Sequence, residues 1–311
     1  MPPRRRYCSG RPDGFGTMGP APVASAEWPG HGPASGRIRI CSMGKHRSDE
    51  IEGQERRIHP TAIVHESALL DSDVAIGPHS IIGPNVVIGR GCRIGANVVI
   101  DGYTTIGEDN QFFTGAVVGS RPQDLKYSGG RSYLTIGNKN TIREYATINT
   151  STSEENATRI GDNNLLMAYA HVAHECSVAD GVIMANNATL AGHVTVEDKA
   201  ILGGLAAVHQ FVRVGTMAII GGCSKVIKDV LPYSMVDGHP AKWQGVNFVG
   251  LKRNGVPEEV RTNIKTAFKI ICRSNLNTSQ ALERLRAEFN SCAGIDHLIA
   301  FVEESSRGIC K

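Results

Sequence analysis

With 311 residues, 41% apolar and only 5% aromatic, the chain can build one large core and a smaller one, but lacks the rings of a base-stacking nucleic-acid binder. Net charge is +3, and eight lysines and arginines precede Asp49, so the remainder is nearly neutral and offers no general nucleic-acid surface. No apolar run reaches the roughly 18 residues of a membrane span. The eight cysteines form no CxxC pair, which reads as reduced thiols and not as a disulfide framework.

Residues 1–55 stand apart. Arg4, Arg5, Arg6, Arg11, Arg37 and Arg39 meet only Asp13 and Glu27, and proline and glycine are dense, so a disordered leader is expected. Arg-rich, acid-poor composition fits an organelle transit peptide.

From Ile58 a register of six begins. Ile58, Val64, Leu70, Ile76, Ile82, Ile88, Ile94, Ile100 and Ile106 are all apolar, and the series continues through Phe112 and Val118. It resumes at Ile136, Ile142 and Ile148, then runs from Ile160 through Leu166, Val172, Val178 and Met184 to Val226. Four residues beyond each large aliphatic lies a small one, such as Ala68, Val86, Cys92, Ala116, Cys176 or Ala188. Period six is neither a helix face nor a plain alternating strand. It predicts a parallel β-helix over residues 56–245, with three hexads per coil and residues eighteen apart stacked about 4.8 Å up the axis. Two interruptions, at 119–135 and 149–159, preserve the register and read as loops on a rigid scaffold, where ligand contacts concentrate.

Residues 246–311 form the predicted helical domain. Val260, Ile264, Phe268 and Ile271 give an apolar stripe with Pro257 in its first turn. Further helices are predicted over Ser279 to Phe289 and Asp296 to Glu304. Arg261, Lys265, Lys269 and Arg273 recur four apart, either as a solvated face or as a ridge for an acidic protein partner.

His171, His174, His193 and His209 cluster late in the coil. Zinc would need three converging ligands, and two coils beyond His171 and His174 stand Ala207 and Gln210, so no metal is expected. Counting by eighteens stacks His174, Gly192 and Gln210 on one edge. A base beside a gap, with a backbone N–H able to meet an oxyanion, suits hydroxyl attack on a carbonyl. His171 stacks toward Thr189 and Ala207 and becomes a substrate contact at most. Cys176 falls in the inward slot, so no covalent intermediate is expected.

HVAHEC at His171–Cys176, ANNATLAGHV at Ala185–Val194, AVHQF at Ala207–Phe211, QDLKY at Gln123–Tyr127 and GVNFVGLKR at Gly245–Arg253 resemble the UDP-N-acetylglucosamine O-acyltransferase family. The resemblance covers Ile58 to Lys311. It implies a mainly β fold, a left-handed parallel β-helix with a C-terminal α-helical domain. It also implies a homotrimer without cofactor, acting on acyl carrier protein and UDP-N-acetylglucosamine in lipid A synthesis. His174 would be the general base and Gly192 the oxyanion donor. Asp124, Lys126, His171, His193, His209, Gln210, Asn247 and Arg253 would contact substrate, and Gly222 would set acyl length. The family has mitochondrial members, so a mitochondrial address is expected for the leader, with chloroplast or cytoplasm as alternatives. Glu175 stands where aspartate is common, His239-Pro240 departs from the usual exit turn, and Asn254 replaces a second arginine. A sister N-acyltransferase and a catalytically silent β-helix subunit are the rival readings.

Overall fold

A computed structural model of the chain describes residues 58–289 and 292–311; the expected leader lies outside them. Each hexad folds as a two-residue strand and a turn, as at Ile81–Ile82, Val87–Ile88 and Arg93–Ile94. The second strand residue points inward, so Ile82 and Ile88 are buried while Ile81 and Val87 face out. Each large aliphatic buried this way contributes about 1.5–3 kcal/mol over leaving it exposed.

Three strands close one coil and define three faces. Face one runs from Ile63–Val64 to Lys225–Val226, face two from Leu69–Leu70 to Arg213–Val214, and face three from Ala75–Ile76 to Ala241–Val246. Pairing is parallel and in the expected register, with Ile81 opposite Val99 and Thr189 opposite Ala207. The exception is the closing hairpin of Ser234–Gly238 and Ala241–Val246, which is antiparallel. Strands this short cannot hold alone; their stability comes from the stack.

The small inward slot carries one feature that the aliphatic register does not announce. Asn110, Asn140 and Asn164 occupy it in successive coils and are fully buried. Asn110 Oδ1 accepts from the Asn140 N–H at 2.9 Å, and Asn140 Oδ1 accepts from the Asn164 N–H at 2.8 Å. The Asn110 and Asn140 amides also donate to Gly137 and Gly161 carbonyls, and Asn164 Oδ1 accepts the Val182 N–H at 2.6 Å, so three polar side chains serve as internal rungs although Asn164 Nδ2 has no partner among the described residues. Cys92 and Cys176 sit in the same slot, buried, with their thiols on the Gly107 and Ala191 carbonyls.

Both interruptions loop out whole hexads. Val117 pairs with Thr147, and Thr147 with His171, while the apolar register continues unbroken on either side. Both emerge on the edge between faces one and two. They also hold each other: Thr150 N–H donates to Ser120 O at 2.9 Å, and Asn149 Nδ2 to Arg121 O at 2.9 Å.

Four helices follow: α1 (Phe248–Arg253), α2 (Glu258–Arg273), α3 (Thr278–Glu288) and α4 (Ala293–Glu303). The last three match the expected stripes, with Ile264, Phe268 and Ile271 buried on α2. Pro257 is the N-cap of α2 and not a residue of its first turn. Helix α1 is too short to show a period, which is why the sequence did not reveal it. Asn277 and Gln280 form a capping box at α3. The tail returns to the coil through an Asp229–Ile309 bridge, and His297 on α4 meets Glu197 at 3.0 Å. Among the described residues no helix is long and apolar enough to cross a membrane.

Candidate active site

The edge between faces one and two turns through residues held at positive φ: Glu175 at 51°, His193 at 60° and Phe211 at 64°. These non-glycine residues tolerate the left-handed region because each coil ties the next. His193 N–H donates to His174 O at 3.0 Å, and Phe211 N–H to Gly192 O at 3.1 Å. One coil below His174 the insertion interrupts this ladder, and Glu175 N–H donates instead to Thr158 Oγ1 at 2.9 Å.

His174 is enclosed, its side chain 13% exposed. Its Nδ1 contacts Glu175 Oε2 directly. Thr152 satisfies the other carboxylate oxygen, its N–H and Oγ1 donating to Glu175 Oε1 at 2.5 and 2.6 Å. Burial alone would push the Glu175 carboxyl up. The Thr152 donors and His174 outweigh it and hold the group below the usual carboxylate range. An ionised carboxylate cannot donate, so the proton of the contact belongs to His174 Nδ1 and the lone pair of neutral imidazole to Nε2. Nε2 faces the first insertion, where Asp124 Oδ2 lies 3.9 Å away.

Gly192 lies directly above. A Cβ on it would stand 2.4 Å from His174 Cε1 and 2.6 Å from Nε2, so only glycine fits. Its N–H donates to no acceptor among the described residues, while its carbonyl is taken by Phe211. His193 packs edge-on to His174, with centroids 5.2 Å apart, and stacks on Phe211 at 4.5 Å.

The other expected residues divide. Lys126 is held by an Asp124 turn, its N–H on Oδ1 at 2.9 Å, with the side chain exposed. His171 lies on face one with Nδ1 2.7 Å from Thr147 Oγ1; burial first, then His174, holds its pKa below the ordinary imidazole value. His209 and Gln210 continue the edge and are exposed, with an Arg307 guanidinium nitrogen 3.3 Å from His209 Nδ1. Arg253 is exposed in the last turn of α1.

Asn247 also serves the fold. It is 3% exposed; Oδ1 caps α1 through Gly250 N–H at 2.8 Å and Nδ2 donates to Met217 O at 2.8 Å, so the fold itself uses its amide. Gly222 lies on the edge between faces three and one, away from His174 within a single chain. Cys176 is a core thiol that burial pushes up to about 12. Thr152, Thr158 and Phe211 were not legible as site residues, because Thr152 lies in a polar loop, Thr158 on the strand Ala157–Ile160 that closes it, and Phe211 at an ordinary turn position.

His174, Glu175 and His193 are the group among the described residues whose ligand atoms come within 4.8 Å of one another and could hold a metal ion. Glu175 Oε2 is committed to His174 Nδ1, so an ion would have to break the contact that orients the imidazole.

Comparison with known proteins decides the family. Over 255 residues the chain is 48% identical to an acyl-(acyl-carrier-protein)–UDP-N-acetylglucosamine O-acyltransferase of Thermodesulfovibrio yellowstonii, covering 82% of this chain and 99% of that protein. The chain belongs to that family. Its residues 229–310 match the family described as UDP-N-acetylglucosamine O-acyltransferase, domain 2, and residues 67–102 and 157–192 match the bacterial transferase hexapeptide. Among solved structures, LpxA from Acinetobacter baumannii superposes with a TM-score of 0.79 at 43% identity, covering 82% of this chain and all of that one. The UDP-N-acetylglucosamine O-acyltransferase of Moraxella catarrhalis gives 0.79 at 38%, with the same coverage. The coil is thus the left-handed parallel β-helix that the resemblance implied. The mitochondrial address expected for the leader is overturned: these relatives are bacterial, from cells without mitochondria, and the transit-peptide reading loses its basis with it.

Proposed function

We propose that this chain transfers an (R)-3-hydroxyacyl group from acyl carrier protein to the 3-hydroxyl of UDP-N-acetylglucosamine, the first step of lipid A biosynthesis. One observation carries the reading of the site: a carboxylate-anchored imidazole nested under a glycine that cannot be anything larger. His174 Nε2 takes the proton of the sugar hydroxyl as its oxygen attacks the thioester carbonyl. The Gly192 N–H receives the developing oxyanion. Collapse expels the pantetheine thiolate, which takes the proton back from His174 and leaves a new ester. Glu175 and Asp124 flank the imidazolium in the interval.

Asp124, Lys126, His171, His193, His209, Gln210, Asn247 and Arg253 are assigned to holding the substrates, Asn247 while it also caps α1. Gly222 is assigned to acyl length, since a Cβ there would meet only Gly204 O, at 3.3 Å. The active unit is a homotrimer in this reading. Its support is that Gly222 and His174 lie on different edges of the prism, which neighbouring chains could bring to one cleft. We assign residues 56–245 to the coil and 246–311 to the helical domain. The N-acyl reading is disfavoured, because the matched relatives bear O-acyltransferase names.

The test is incubation of purified protein with UDP-N-acetylglucosamine and 3-hydroxyacyl carrier proteins of several chain lengths. Ester formation is expected, and His174→Ala should lower kcat by roughly 10²–10⁴ while sedimentation still gives three chains per particle. No product at any chain length would favour the silent subunit.

A further inference from the structure

The second insertion is not needed to close the coil, since the apolar register runs on beneath it. Its two ends nevertheless converge on one residue. Thr158 Oγ1 accepts the Glu175 N–H at 2.9 Å, and Thr152 gives its own N–H and hydroxyl to Glu175 Oε1. The Glu175 side chain is only 6% exposed, so water cannot replace those donors. Glutamate has three side-chain torsions to freeze before its carboxylate plane can aim at a neighbour. Within reach of Glu175 Oε2 are both His174 Nδ1 and, at 3.9 Å, His193 Nε2. With Oε1 pinned from the loop side, Oε2 is fixed toward His174. An unpinned carboxylate could turn toward His193 and leave His174 free to rotate or to carry its proton on Nε2, the tautomer that cannot act as base.

We propose that Thr152 is a positioning residue for the acyl transfer, acting through Glu175 to set the tautomer and orientation of His174. The inference rests on the reading of His174 as general base. Both hydrogen bonds that Thr152 donates go to Glu175 Oε1 and none goes to His174, so its effect is assigned to the carboxylate. Removing the hydroxyl leaves the backbone donor, and one hydrogen bond to a charged group is lost.

The experiment is a double-mutant cycle of Thr152→Val with Glu175→Ala in the full chain, reading kcat and both KM values, with thermal melting to confirm folding. Thr152→Val alone should lower kcat by about tenfold with both KM values unchanged, the loss expected for one charged hydrogen bond. Thr152→Ser, which keeps both donors, should restore kcat to near the wild-type value. In the Glu175→Ala background, Thr152→Val should cost nothing further. An equal loss in both backgrounds, or failure of serine to rescue a folded protein, overturns the clamp and makes Thr152 a loop-stabilising residue only. An unchanged kcat in Thr152→Val overturns it as well. His174→Ala, run alongside, separates the two levels: if that variant keeps its activity, the base assignment fails, whereas an inactive His174→Ala with an additive cycle sinks the clamp alone.

Discussion

Two edges of the same prism follow nearly identical backbone paths and do different things. On the edge between faces three and one, Tyr169, Asn187 and Leu205 turn at φ of 61°, 60° and 61°. On the edge between faces one and two, Glu175, His193 and Phe211 turn at 51°, 60° and 64°. The first edge carries stacked Tyr145 and Tyr169 and an exposed Leu205; the second carries a carboxylate-anchored histidine under a glycine. Since the turns are equivalent, the chemistry does not come from backbone geometry. It comes from which side chains precede the left-handed residue, and from two insertions that open only onto the second edge and wall it.

Substitutions at matched positions on the two edges test that contrast. Gly192→Ala should have the largest effect, since its Cβ would meet the imidazole at 2.4 Å and crowd the N–H proposed as oxyanion donor. A fall in kcat of about 10²–10³ is expected, as for loss of an oxyanion-hole donor. A near-normal kcat would separate Gly192 from the chemistry. Leu202→Ala strikes the core that both edges share, where the side chain is fully buried. It should cost about 2–5 kcal/mol, seen as a lower denaturation midpoint, while kcat well below the melt is retained.

Acid titration gives a smaller effect. The folded Glu175 carboxyl is held below its unfolded value, so its stabilising contribution is complete above the unfolded pKa, near 4.3 for glutamate, and is lost as pH falls through the folded value. Thermal melts should therefore drop more steeply with acid in the wild type than in Glu175→Gln; parallel curves would mean that the carboxylate is not anchored as described. The smallest effect belongs to the other edge. Gly204→Ala places a Cβ 3.4 Å from Asn186 O, an ordinary contact, and should shift stability by no more than about 0.5 kcal/mol.

The period-six aliphatics, the in-register insertions and the stacking of His171 over Thr189 and Ala207 were all legible in the chain, because a β-helix maps sequence spacing directly onto axial position. The pairing of His174 with Gly192 was legible for the same reason. Thr152 was not, since it lies in a loop with no period, and its partner is found only when the loop folds down on the next coil. Nor did the sequence show the Asn110–Asn140–Asn164 ladder, whose members occupy slots where small apolar residues are the rule.

By itself, then, the sequence determined the coil, its register and the column that holds His174, because those depend on local repetition. Only the tertiary structure decided what Glu175 does. The extra methylene of glutamate, where aspartate is common, lets the carboxylate bridge Thr152 and the imidazole. Tertiary structure likewise showed that Asn247 caps α1, a role its spacing along the chain did not announce. Both outcomes depend on which groups are left without water or a partner once the loops and helices pack, and no spacing rule along the chain contains that information.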